Sequence, residues 1–366
     1  MTEFIESFAT QQLLPPWVAE GAQTCCFVIR MAECRIKEYL AEYFNGNYPD
    51  RAPFQYSPLP GVQTQFGLLT TAYSPSVSSI NKATMKRLGS DRVSWDHLSH
   101  TEVYLAIPVI RHDITADNIL INPTLVWVQP FLCSDNATAV FSAREIWGSD
   151  MTVATIERHQ GPKAGQLHLD TAFIGIREFN PRSTTQTLAC IHIDTGPPVP
   201  PDLPGILKAH PELAKFVNIL GGSGVFASEK PPGLGPSEFA GGVELNNLKQ
   251  FRDVHNMGAA IYRAIVSSKA SHAEVGNLLF YDPSKVEIDF MWSDSVAAML
   301  TSLLNVEGPT AKGPPTVHQT RAPSHRPNKI DWDLDRVPVK AELAFSFTSN
   351  VQFEVNETLY TYGVSA

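Results

Sequence analysis

The chain has 366 residues, a formal net charge of −9, 43% hydrophobic residues and 18% charged ones. That balance supplies a large core and argues against disorder. It offers no basic field of the kind that nucleic acid or an anionic membrane surface requires.

The start, Met1-Thr-Glu-Phe-Ile-Glu6, carries acids where a secretory signal carries Lys or Arg. No stretch approaches the roughly 20 apolar residues of a membrane span, so a cytoplasmic location is expected. Thr24–Arg30 reads as a buried strand. Ala32–Phe44 reads as a helix, because Ile36, Leu40 and Phe44 recur at helical spacing. Gln65–Tyr73 and Val103–Ile110 are rich in strand formers, and Pro108 marks an edge or a bulge in the second. Thr124–Leu132 reads as a central strand. Thr152–Arg158, Gly165–Phe179 and Thr187–Ile193 suggest an antiparallel meander. The stretch 195–242 is rich in Pro and Gly, with a short helix near Pro211–Leu220. The stretch 307–328 is polar and Pro-rich, so each of the two reads as a lid or a mobile insertion. Between them, Asn256–Ser268 reads as helical, Glu287–Trp292 as a strand and Ser293–Leu304 as a helix. The chain returns to strands at Lys340–Phe347 and Val351–Tyr362. Cys25, Cys26, Cys34, Cys133 and Cys190 are an odd set without framework spacing and read as reduced thiols, mostly buried.

Three segments, in order, carry a resemblance: Thr101-Glu-Val-Tyr-Leu-Ala-Ile-Pro-Val109, Phe131-Leu-Cys-Ser-Asp-Asn-Ala-Thr-Ala-Val-Phe-Ser-Ala-Arg-Glu-Ile-Trp-Gly148, and Asn247-Leu-Lys-Gln-Phe-Arg-Asp253 with Ala260-Ile-Tyr-Arg-Ala-Ile-Val266. Together they resemble the acetoacetate decarboxylase-like superfamily over about Thr24 to Leu304. The resemblance implies one domain over residues 1–366, with extra strands at 340–362. The implied fold is mainly β (α+β), a closed antiparallel β-cone or barrel around a buried cavity, with a few peripheral helices.

In that family the Arg-Glu signature runs into a Pro-Lys-Lys step, whose first lysine forms a Schiff base with the substrate ketone. Here Glu145 is followed by Ile146-Trp-Gly-Ser-Asp-Met-Thr152, so Met151 takes the nucleophile's place and Thr152 that of its neighbour. A thioether cannot form an imine, and Lys86 is the only lysine between Lys82 and Lys163. The family's second carboxylate falls at Gly67. Of the acidic pair, Glu102 remains.

Glu102 is thus the first candidate catalytic residue, since a carboxylate in a mostly apolar cavity can move a proton near neutral pH; its bland reading is a solvated glutamate or a partner of Arg111. Asp150 is the second, against a turn aspartate. Met151, Thr152, Trp147 and Gly67 are expected to line the substrate cavity. Arg144 reads mainly as architectural, though its guanidinium could hold a substrate carboxylate. His97, His100 and His112 flank the Glu102 strand, and one of them could serve as a partner base. His168-Leu-Asp170 and His192-Ile-Asp194 would each put His and Asp on one strand face. That is also ordinary strand alternation and no third ligand pair is evident, so no metal is expected, nor any cofactor. Gly-x-Ser-x-Gly, Cys-x-x-Cys and glycine-rich phosphate-loop patterns do not occur.

The functional expectation is an enzyme of specialised metabolism that acts on a keto or polyketide-like molecule by proton transfer, as a lyase, isomerase or cyclase. A non-catalytic carrier of a hydrophobic metabolite is the alternative. A decarboxylase or aldolase with a relocated lysine, Lys249 first, is a third reading. The expected partner is a small-molecule substrate, with a homo-oligomer left open.

Overall fold

A strand that is apolar at every position needs cover on both faces, and Cys25-Cys-Phe-Val-Ile29 is such a run. The structure, a computed structural model, describes residues 15–46, 52–62, 64–79, 97–161, 163–175, 186–200, 202–222, 243–252, 260–292 and 335–362. Its strands are β1 (Trp17–Met31), β2 (Phe54–Pro58), β3 (Gln65–Ser79), β4 (His97–Ile114), β5 (Leu120–Ser134), β6 (Met151–Val153), β7 (Thr155–Gln160) and β8 (Leu167–Gly175). They continue with β9 (Gln186–Asp194), β10 (Pro198–Val199), β11 (Val243–Arg252), β12 (Ala260–Tyr281), β13 (Glu287–Trp292), β14 (Asp335–Pro338) and β15 (Ala341–Thr361). Helices are α1 (Glu33–Tyr43), α2 (Ala137–Ser142), α3 (Leu203–Ala209) and α4 (Leu213–Gly222), with a π-turn at Ala143–Trp147. No helix among the described residues is long and apolar enough to cross a membrane.

Strands β4, β3, β1, β15, β12, β11 and β5 pair in that order, and β5 pairs back onto β4, so seven strands close into a ring. A second sheet runs β14-β13-β9-β8-β7. Cys26 and Val28 of β1 point into the ring, where they meet Phe66, Trp127, Phe345 and the apolar face of α4. Odd-numbered Cys25, Phe27 and Ile29 point outward into a larger core. There they meet Ile36 and Leu40 of α1 and Leu169, Ile191 and Ile288 of the second sheet. Both faces are covered, so the run is continuously apolar. Phe216 of α4 packs edge-on against Phe66 and Trp127 at 5.8 and 6.0 Å, so the helix fills one end of the ring like a plug.

The mainly β architecture follows the expectation, and β7, β8 and β9 form the expected meander. Two readings are corrected. The helix at Asn256–Ser268 is strand β12 from Ala260 onward. The C-terminal strands are one strand, β15, seated between β1 and β12 as an integral part of the ring. The stretch 195–242 contains β10, α3 and α4 before the described residues stop at 222. The expected helix at 293–304 and loop at 307–328 lie outside the described residues. Pro108 sits where β4 passes from its pairing with β3 to its pairing with β2, next to a register shift against β5, so its missing N–H interrupts no ladder with β3 or β2.

The ring closes at a parallel seam where β11 meets β5 through one residue pair, Leu245↔Trp127. Side chains reinforce it. Arg111 of β4 donates from Nη1 to Glu244 Oε1 at 2.7 Å and to Asn246 Oδ1 at 3.0 Å. The Tyr56 hydroxyl donates to Asn246 Oδ1 at 2.9 Å, and Ser267 donates to Glu244 Oε1 at 3.0 Å. Removing the guanidinium leaves a largely covered carboxylate without its cation. Arg111→Met is therefore expected to destabilise the chain by about 2 kcal/mol. The check is urea unfolding, read as a lower midpoint at unchanged m-value.

Candidate active site

The segment after β5 builds one wall of the site. Asn136 caps α2 by accepting from Thr138 N at 2.9 Å and Ala139 N at 3.2 Å. The π-turn that follows carries Ala143 and Trp147 to the buried side and leaves Arg144 and Glu145 exposed. It ends at Gly148, whose φ is +70° and where an added Cβ would lie 2.4 Å from Lys249 Cβ. Only glycine fits there. The chain then turns into β6, and Met151 is buried beside Leu132, Val140 and Ala143.

Met151 and Trp147 line a cavity of about 140 Å³ inside the ring, beyond the plug, and Leu220 of α4 forms part of its wall. Most of the wall is apolar or aromatic. Trp17, Trp147 and Phe353 cluster in it, with ring centroids 4.8 and 5.8 Å apart along the series. The acid–base groups among the lining residues are His100, Glu102, Tyr104, His272 and the Cys26 thiol.

Glu102 is paired with a histidine of its own strand: His100 Nε2 lies 3.0 Å from Glu102 Oε1. Residues i and i+2 of a strand share a face, so the pair enters the cavity together. Burial works against a charged His100, yet the charge and hydrogen bond of Glu102, helped by Asp135, hold it above its ordinary value. His272 behaves oppositely. Burial pushes it down to about 4, and its Nδ1 lies 3.0 Å from the Ser349 hydroxyl. One imidazole is thus favoured as a cation and the other kept neutral, because only His100 has a carboxylate at hand. Two further atoms of lining residues, His100 Nδ1 and Trp147 Nε1, are buried without a hydrogen-bond partner among the described residues.

The candidates divide by the side their strand presents. Glu102, Trp147 and Met151 line the cavity together. Asp150, Thr152 and Arg144 instead line a separate, wider depression beside Phe141 and Phe251. Thr152 and Asp150 neighbour Met151, and in extended chain neighbours face opposite ways. Arg144 donates to the Met151 carbonyl at 3.4 Å and so ties the turn to β6. Gly67 does not reach the cavity, because its Cα side packs on Met31 and Leu105 while Leu68 points in. Arg111 pairs with Glu244 rather than Glu102. Lys249 lies behind Gly148, outside the cavity wall, and donates to the Glu145 carbonyl. Burial lowers it, with the Glu145 charge opposing. From the sequence His100 stands only as one of three candidate partner bases, and His272 does not stand out. His100-x-Glu102 was visible as the same i, i+2 spacing noticed at His168 and Asp170. His272 carried no local signal.

No protein-family model matches the sequence, and no curated protein matches it. Solved structures do. An acetoacetate decarboxylase from Legionella pneumophila subsp. pneumophila superposes with a TM-score of 0.50 at 7% identity, covering 98% of this chain and 93% of that one. A chain from structural studies of acetoacetate decarboxylase gives 0.48 at 10% identity, covering 97% and 94%. The enduracididine biosynthesis enzyme MppR, in complex with the condensation product of pyruvate and imidazole 4-carboxaldehyde, gives 0.47 at 10%, covering 96% and 92%. The first of these likenesses shows the fold, which is that of acetoacetate decarboxylase.

The two histidines give the stability a pH signature. His272 protonates near 6.5 when unfolded and about 4 when folded. Between those values the unfolded chain binds more protons, so stability falls as pH drops through the window, by up to about 3 kcal/mol. His100, raised when folded, contributes stability below 6.5 that is lost as pH climbs through its folded value. His272→Gln is expected to flatten the acid-side slope between pH 4 and 6.5 and leave the alkaline side unchanged. Urea unfolding at a series of pH values measures this, and an unaltered acid slope would refute the assignment.

Proposed function

We propose that the chain is an enzyme that binds a small keto compound in the ring cavity and shifts a proton on it without forming a Schiff base. The observation that carries this reading is the His100–Glu102 pair, 3.0 Å apart, in the wall of an otherwise apolar cavity. With Oε1 engaged by His100, the second oxygen of Glu102 is available to take a proton from the carbon α to a carbonyl. The C–H electrons then move into the developing enolate, whose oxygen is met by an N–H of His100 or Trp147. Proton return at a different atom completes an isomerisation, and loss of a β-substituent completes an elimination. Neither step needs a cofactor.

Two features favour non-covalent chemistry. Met151 lines the cavity, and among the described residues no lysine does. Size narrows the substrate. A cavity of about 140 Å³ matches engineered protein cavities of about 150 Å³ that hold one benzene ring, so a compound of about one ring's bulk fits better than an extended polyketide. A carrier without chemistry is the second reading, favoured by the apolar majority of the wall.

Glu102→Gln keeps the shape and removes the base. With a panel of small cyclic and aryl ketones in D2O, the wild type is expected to catalyse α-proton exchange visible by NMR. The variant should be slower by about 10²–10⁴-fold while ligand-induced thermal stabilisation persists. Equal exchange by both proteins would end the proposal, and stabilisation without any exchange would favour the carrier. Borohydride reduction in the presence of the same ketones is expected to add no mass to the chain; an adduct on a lysine would restore the Schiff-base reading.

A further inference from the structure

The second sheet presents an outer face unlike the rest of the molecule. Its inward residues, Leu169, Ile191, Ile193 and Ile288, are buried in the core. The alternate residues form two rows across four strands. In one row His159 faces His168, His168 faces Asp194, and Asp194 faces Glu287. In the other Glu157 faces Asp170, Asp170 faces His192, and His192 faces Asp289. All eight positions are His, Asp or Glu, and none is Lys or Arg. The third ligand-bearing pair that was not evident in the sequence is Glu157-Arg-His159, with Glu287-Ile-Asp289 as a fourth.

At the centre of the rows the side chains already converge. Asp170 Oδ1 lies 2.7 Å from His192 Nδ1, and Asp170 Oδ2 lies 3.1 Å from His168 Nε2. One ligand atom from each of His168, Asp170 and His192 falls within 4.8 Å of the others. Ligands on a tetrahedral zinc ion stand about 3.4 Å apart, so a rotation of the side chains brings all three to coordinating distance of one ion. The other nitrogen of His168, Nδ1, lies 3.2 Å from Asp194 Oδ2. A histidine whose far nitrogen donates to a carboxylate is the outer-shell arrangement that fixes the ring and its tautomer for metal binding.

We propose that His168, Asp170 and His192 form a site for a divalent transition-metal ion, with zinc as the first candidate, and that Asp194 is its positioning residue. Two imidazoles and one carboxylate suit zinc or its neighbours rather than calcium or magnesium, which take oxygen ligands. Three ligands leave a coordination position open on a partly exposed face. Both strands belong to a paired sheet, so the site is largely preformed. It lies outside the residues that line the ring cavity and does not depend on the reaction proposed there.

Calorimetric titration of ZnCl2 into the full chain tests this, with CaCl2 as the contrast. One equivalent of Zn²⁺ is expected to bind, and Ca²⁺ is not. Asp170→Asn with His192→Gln should abolish that binding, while Asp194→Asn should weaken it by about 10-fold or more with all three ligands intact. Should the double variant not fold, the visible spectrum of the wild type loaded with Co²⁺ decides the ligand type. Bands of a nitrogen and oxygen shell are expected, and a thiolate charge-transfer band would overturn the proposal. Absence of Zn²⁺ binding by the wild type, or undiminished binding by the folded double variant, would overturn it as well.

Discussion

Closing seven strands on themselves gives each strand an inside and an outside, and in this chain both must be filled. The outside is filled by the second sheet and α1. The inside is too wide for side chains alone. Helix α4 takes one end, with Leu213, Phe216 and Val217 buried against the strands. What the plug does not occupy is the cavity, so its volume follows from how far one amphipathic helix penetrates. Arg30 fastens the plug from the rim. Its guanidinium lies 2.7 Å from Glu212 just before α4 and 2.7 Å from Glu342 on β15.

Inside that space one residue type takes two electrostatic roles. His100 and His272 both lose hydration, which disfavours charge in each. A carboxylate at 3.0 Å reverses the outcome for the first, and a hydroxyl does not for the second. Tyr104, also in the wall, is held protonated by burial. The wall therefore sets hydrogen-bond donors beside the carboxyl group of Glu102, the combination that enolate chemistry needs.

Much of the fold was legible because its strands are strongly apolar and regularly spaced. Thr24–Arg30, Gln65–Tyr73 and Thr124–Leu132 each lie within a strand of the ring, and Ala32–Phe44 gives α1. Strand β12 was misread for a physical reason. Ala264 to Ser268 are buried at every position, and β12 carries Ile261 as an extra residue against β11. Neither stretch shows a period of two, so Ala260 to Ser268 passes for helix. Around the cavity, the matched positions fall on both sides of their segments. Leu68 rather than Gly67, and Met151 without Thr152, reach the cavity. A displacement of one residue is enough to exchange the faces. His272 is carried by a strand whose placement depends on long-range pairing, and nothing near it in sequence announces that.

The five thiols respond to the same architecture in a way that makes them gauges of it. Cys34, on α1, is exposed, whereas Cys25, Cys26, Cys133 and Cys190 are buried. Burial raises all four, Cys26 and Cys190 to about 12, which keeps them as unreactive neutral thiols. Cys25 and Cys26 stand side by side yet face opposite compartments, one the outer core and the other the cavity. An alkylating reagent would therefore find a single handle on the intact molecule, and each additional site of modification would report which compartment had come apart.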